Sequence, residues 1–221
     1  MQRGYLLHTS AYRESSLLVR LLVDKIGRVD AVARVGSGKR SLKSILQPFQ
    51  PLLFELSGRS ELRSMYQIES ASPAVPLSGD ALYAGMYLNE LLMRTLSVHQ
   101  TGESLFLPYH RTLLQLARAF DEASLRYFEV NLMHELGCMP SLSHDATGDT
   151  LSADISYRYL TEAGFLPGEG RYQGAMLQRL ATEALVAEDF AAAKHLTRNL
   201  LAPLLGDKPL LSRQLFAGRK R

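Results

Sequence analysis

The chain has 221 residues, 46% of them hydrophobic and 21% charged, with a formal net charge of +3. That usage excludes a disordered or fibrous chain, and the length allows two modest hydrophobic cores. The single cysteine, Cys138, excludes an intrachain disulfide and any zinc site built on several thiolates, and reads as a small packing residue in a reducing compartment.

Charge is unevenly placed. Residues 1–72 carry eleven Lys/Arg against six Asp/Glu, residues 73–193 seven against fifteen, and residues 194–221 seven against one. Basic ends around an acidic middle point to a polyanion surface and to separate protein contacts, although plain solubility patterning gives a similar distribution. No apolar run approaches the roughly 18 to 20 residues that span a bilayer, and the N-terminal MQRGYLLHTSAYRESS lacks a long apolar stretch before a cleavage site. A cytoplasmic, nucleoid-associated protein without a membrane partner is expected.

The first seventy residues read as strands. GYLLHT at 4–9 is the first, and LLVRLLV at 17–23, interrupted only by Arg20, is the second. The turn Asp24-Lys25-Ile26-Gly27 leads into a third, where Val29, Ala31, Ala33 and Val35 alternate with Arg28, Asp30, Val32 and Arg34. Arg28 and Arg34 therefore share an outer face. The stretch RVGSGKRSLKSILQPF at 34–49 then sets Arg34, Lys39, Arg40 and Lys43 among small residues with no acid, a composition suited to gripping phosphates. It is not a nucleotide-binding P-loop. That loop needs a glycine five residues before Gly38 and a Ser or Thr after Lys39, and the chain has Ala33 and Arg40 there.

Leu52, Phe54 and Leu56 mark a fourth strand, and after the turn Ser57-Gly58-Arg59-Ser60 a fifth carries Leu62, Ser64, Tyr66 and Ile68 on its inner face. Five short strands in so few residues suit a small closed barrel, with an OB-fold as the candidate. The prolines of SPAVPLSG at 72–79 and a helix cap at Ser78 place a domain boundary there, dividing the chain into residues 1–76 and 77–221. The second domain is expected to be all-helical, giving an α+β protein. Its stripes are Leu88, Leu91, Leu92, Leu96; then Phe106, Tyr109, Leu113, Leu116, Phe120; then Leu125, Phe128, Leu132, Leu136. A loop insertion near 138–155 follows, and the last long helix buries Ala193, Leu196, Leu200 and Leu204 and stops at Gly206. Lys194 and Arg198 share one face of it.

Catalytic patterns fail on spacing. His134-Glu135 would open a zinc-protease helix, but Cys138 stands where the second histidine belongs. No serine sits in a GxSxG elbow, and Asp145, Asp149 and Asp154 lack the spacing of an EF-hand. Neither a catalytic residue, a cofactor nor a metal site is expected. A nucleic-acid groove suits the residues better: Arg28, Arg34, Lys39, Arg40 and Lys43 as phosphate contacts, with Tyr12, Phe49 and Tyr66 as rings on which bases could stack.

The blocks GRVDAVARVGSGKRSLKSILQPF at 27–49, GRSEL at 58–62, LYAGMYLNELLMRTL at 82–96 and LTRNLLAPLLGDKPLLSRQLF at 196–216 together resemble the bacterial recombination mediator family RecO, nearly end to end. The resemblance implies an N-terminal OB-fold, a helical domain and no enzymatic activity. It also implies single- and double-stranded DNA as ligands, strand annealing, and action with RecR in helping RecA displace single-stranded DNA-binding protein. That protein's acidic C-terminal tail is a further implied partner. An apolar pocket beside a cation would suit its terminal carboxylate, and Arg126 in LRYFEVNLMHELG is the candidate, the alternative being a surface arginine paired with Glu122 or Glu129. Many members carry a four-cysteine zinc site after the third helix. Here Asp145 and Gly148 align with the first cysteine pair, so no zinc and a loop held by packing alone, or mobile, are implied. The competing reading is a scaffold whose barrel binds mainly a protein partner and whose basic loop is incidental.

Overall fold

A computed structural model of the chain describes residues 1–36, 41–98 and 102–217. The period-2 segments form β1 (Gln2–Ala11), β2 (Ser16–Val23), β3 (Gly27–Arg34), β4 (Pro51–Ser57) and β5 (Leu62–Ser70). They close into a barrel in the order β1-β2-β3-β5-β4, with β4 returning to pair with β1. Every pairing is antiparallel except β3 with β5. This is an OB arrangement, in which closure leaves no strand edge open. Alternation decides what fills it: Val29, Ala31 and Ala33 of β3 point inward against Leu6, Leu21 and Phe54.

One strand departs from its expected phase. Met65 and Ile68, not Ser64 and Tyr66, are buried on β5, and Tyr66 is 42% exposed. Gln67 takes a left-handed φ of 50°, and the pairing with β4 slips between Leu53 and Glu55. This bulge brings two residues three apart onto the same face, a spacing that strict alternation does not allow.

The helical stripes become α1 (Gly79–Thr95), α2 (Phe106–Arg118) and α3 (Glu122–Glu135). Asp121 caps α3, its carboxylate accepting from the amides of Ala123 and Ser124 at 3.0 and 3.2 Å. Further on come α4 (Gly174–Ala181), α5 (Phe190–Leu205), ended by Gly206, and α6 (Leu211–Ala217). The region is largely, not entirely, helical. Between α3 and α4 lies a small sheet of β6 (Ser156–Leu160), β7 (Gly164–Pro167) and β8 (Tyr172–Gln173), ordered β7-β6-β8. Tyr157, Phe165 and Tyr172 supply its buried face. Gly170 lets the chain pass close by, since a Cβ there would lie 2.1 Å from the Tyr157 carbonyl. Among the described residues no helix is long and apolar enough to cross a membrane.

The chain divides into two compact units. One comprises residues 1–120 with the chain from Lys208 onward, the other Asp121–Asp207. In the first, Tyr5 of β1 meets Tyr109 edge-on and shares a 2.6 Å hydrogen bond with Nδ1 of His110 on α2. Asn89 of α1 donates to the Leu7 carbonyl and accepts from the Tyr109 hydroxyl, so barrel and helices share a polar anchor. Glu90 of α1 holds α6 by accepting from the amides of Leu211 and Ser212, both at 2.8 Å, and from the Ser212 hydroxyl.

In the second unit, Lys194 pairs with Glu122 at 2.6 Å, and Arg179 grips Asp189 with two hydrogen bonds of 2.7 and 2.6 Å. The loop after α3 is not held by packing alone. Asp145 accepts from the amide and hydroxyl of Thr147 and the amide of Asp149, and His144 bridges to Thr150. Chiefly through the Thr147 hydroxyl, these bonds hold the Asp145 carboxyl below its usual range. Cys138 lies exposed at the start of this loop rather than packed.

Candidate nucleic-acid interface

An open groove of about 780 Å³ runs over the barrel wall beside the parallel β3–β5 pair. Its sides come from the β1–β2 turn (Tyr12, Arg13, Ser15), the end of β3 (Val32, Arg34) and the outward residues of β5 (Ser64, Tyr66). Each is there for a local reason. The Tyr12 amide donates to the Ser16 carbonyl, which closes the turn, and Arg13 takes a left-handed φ of 59°. The Arg13 guanidinium sits 5.3 Å from the centre of the Tyr12 ring, a cation–π contact that holds both over the groove. The bulge at Gln67 turns Tyr66 outward, where a hydrogen bond to Glu55 is the main cause raising its phenol above the ordinary value.

The basic loop begins and ends at this groove. The Leu42 amide donates to the Val35 carbonyl at 2.9 Å, which clamps the loop's two ends at the finish of β3. Leu42 itself lines the groove. Lys43 follows in the short 3-10 turn Leu42–Ser44, exposed, with the Ser41 hydroxyl accepting from its amide. Lys39 and Arg40 lie outside the described residues.

Of the cations expected on the outer face of β3, Arg34 reaches the groove and Arg28 does not. The Arg28 guanidinium donates to the carbonyls of Met93 and Leu96 at 3.0 and 2.5 Å, at the C-terminal end of α1, and lies 3.5 Å from Asp30. Its side chain is only 11% exposed. A cation there satisfies carbonyls that the helix end leaves open. Phe49 is likewise internal: it is buried, with its ring against Gly85 of α1. Arg13 escaped the sequence reading; its signal was a lone arginine beside Tyr12 in a strand turn.

Arg126 lies inside the second unit, 4% exposed. It pairs with Glu129 at 2.7 Å and donates to the Thr197 hydroxyl at 3.3 Å. Of the two same-helix partners allowed by spacing, Glu129 takes it, while Glu122 turns to Lys194. A burial this deep had no sequence signal, because an arginine at helical spacing from an acid is the mark of a surface pair.

Two families match the chain, one described as Recombination protein O N terminal over residues 1–74 and one as Recombination protein O C terminal over residues 76–214. The chain belongs to the RecO family. A protein of Pseudoalteromonas atlantica named DNA repair protein RecO is 42% identical, covering 96% of this chain and 92% of its own length. Proteins of the same name from Pasteurella multocida and Escherichia coli are 44% and 40% identical, each alignment covering 97% of this chain and 93% of the relative. RecO proteins are generally mediators without catalysis, and the family's name places the chain in recombinational DNA repair. The four-thiolate zinc site of many RecO members does not fit the residues here. The sequence has one thiol, Cys138, and the Asp145 carboxylate in the loop is taken up by Thr147 and Asp149.

Proposed function

We propose that this chain binds DNA without catalysing a reaction, anneals complementary strands, and acts with RecR to help RecA load onto single-stranded DNA. The observation that carries this reading is the groove, which sets two rings, Tyr12 and Tyr66, beside Arg13 and Arg34 at the ends of the basic loop. Bases stacked on exposed rings contribute about 1 to 3 kcal/mol each whatever their identity, which is what a mediator of strands of any sequence requires. Arg13, Arg34 and Lys43, with Lys39 and Arg40 of the loop, are assigned to phosphates. Annealing follows from charge neutralisation: cations along two strands weaken their mutual repulsion without an energy source. Arg28, bonded to α1, is left out of the phosphate set.

Double-stranded DNA, RecR and the tail of single-stranded DNA-binding protein complete the partners by family. A tail carboxylate reaches Arg126 only by displacing Glu129, so that contact needs local opening of the second unit. The test is a salt series with fluorescent oligonucleotides. Arg13→Ala/Arg34→Ala should flatten the slope of log affinity against log salt by about 1.4, at about 0.7 per phosphate contact on a single strand. Tyr66→Ala should lower affinity at an unchanged slope. If all three substitutions leave affinity and slope as they were, the groove does not bind DNA and the barrel is left to a protein partner.

A further inference from the structure

We propose that the mouth of the barrel is a second anion site, taking a backbone phosphate of nucleic acid beyond the segment held in the groove. A cavity of about 390 Å³ opens there between the β2–β3 turn and the β4–β5 turn. Ile26, Val29 and Val98 supply its apolar lining, and the wall holds Lys25, Arg28, Arg59 and Arg63 with two acids, Glu61 and Glu103. Three of these cations converge for separate reasons. Lys25 occupies the left-handed corner of its hairpin, with φ of 60°, and Arg59 follows Gly58 in the next turn, where φ is 96°. Arg63 shares the inward phase of Met65 at the very start of β5, so it faces out through the open end of the barrel.

The side chains of Lys25, Arg59 and Arg63 form no hydrogen bond or ion pair with other described residues, whereas Arg28 is committed to α1 and Asp30. Lys25, Arg28, Arg59 and Arg63 outnumber the two acids of the wall, so the cavity carries an excess of positive charge that an anion bound among them offsets, in a medium less screening than water. A phosphate, with oxygens facing several ways, suits donors arriving from two turns and a strand.

The same strands carry the groove. Arg28 and Arg34 stand six residues apart on β3, roughly 20 Å at the usual rise per residue, so mouth and groove flank opposite ends of one strand pair. One DNA backbone crossing the β3–β5 wall would meet both. Naming nucleic acid as the source of the phosphate rests on the DNA-binding function proposed above.

The experiment measures salt slopes for two oligothymidylates, of about 4 and about 16 nucleotides, the range of site sizes for an OB-fold. For Arg59→Ala/Arg63→Ala, the expected result is a slope flatter by about 1.4 on the longer oligonucleotide and unchanged on the shorter one. Arg34→Ala should flatten both. Both mouth arginines lie at the surface or barrel edge, and a thermal melt of the variant, together with Arg59→Glu/Arg63→Glu, separates lost binding from lost fold. An unmoved slope on the longer oligonucleotide, with Arg34→Ala still effective, overturns the mouth site and leaves the groove standing. The reverse pattern removes the groove and keeps the mouth. Binding of a polyglutamate peptide that depends on Arg59 and Arg63, with the DNA slope unmoved, overturns the assignment in favour of an acidic protein partner.

Discussion

Replacing Arg28 by methionine separates two roles that an arginine on a barrel wall can have. Methionine keeps much of the aliphatic stem, so packing survives while the guanidinium's donors vanish. Lost with them are the hydrogen bonds to the carbonyls of Met93 and Leu96 and the 3.5 Å pairing with Asp30, which retains Arg20 at 3.6 Å. A hydrogen bond from a charged donor contributes about 1.5 to 3 kcal/mol, and both bonds come from one nitrogen, so a combined loss of about 2 to 4 kcal/mol is expected rather than the full sum. The side chain is 11% exposed, which leaves little solvent to compensate. That loss should lower the melting temperature of the unit carrying the barrel by about 5 to 15 °C. Thermal unfolding by circular dichroism reads it. Oligonucleotide binding well below the transition should keep the wild-type salt slope. A melting temperature within a degree or so of wild type, together with a slope flatter by about 0.7, would refute the reasoning and return Arg28 to the phosphate contacts.

Two further predictions concern how the barrel's unit is held. Glu90 binds the start of α6, and its carboxyl sits below the usual range because hydrogen bonds from Ser212 and Leu211 outweigh burial, which alone would raise it. Glu90→Ala should release α6, seen as early cleavage near residue 211 in limited proteolysis; cleavage at the wild-type rate would show that Tyr83–Phe216 and Arg213–Tyr87 hold the helix unaided. His110 is pushed below its ordinary value of 6.5, first by burial and then by Arg3, and His8 likewise by burial and Arg20. The folded state thus favours both neutral. Their contribution is complete above pH 6.5 and is lost as pH falls through the depressed folded values, so melting temperature should drop between pH 7 and pH 5. His110→Gln, which still offers an oxygen to the Tyr5 hydroxyl, should shrink that drop; an equal drop in the variant would exclude His110 as a cause. At the other end burial pushes Tyr5 up to about 12, so stability should fall from about pH 10 upward as the unfolded tyrosine ionises first.

The barrel was legible because each strand pays out its side chains with a period of two, and β3 shows this in every residue from Val29 to Ala33. What alternation reports is a face, not a neighbour. Arg28 and Arg34 do share the outer face of β3, yet one end of that face lies under the last turn of α1 and the other lines an open groove. The contact that separates them joins residues 65 and 68 apart in the chain, beyond any local pattern.

Phase fails where the backbone leaves the strand region, and Gln67 does so without being a glycine or a proline that would announce it. The same bulge that spoiled the inner-face reading of β5 is what exposes Tyr66. The small sheet of β6 to β8 escaped for a different cause: strands of two to five residues are too short for a period to repeat, and their aromatic residues read equally well as helix. Arg126 shows the limit from the other side. Helical spacing offered Glu122 or Glu129 as a partner, but spacing on one helix is blind to α5 packing above it, where Thr197 turns a surface pair into a buried one. The sites hardest to read from sequence are therefore those where an ordinary local pattern meets a distant element. In this chain such meetings determine which cations remain free for a ligand.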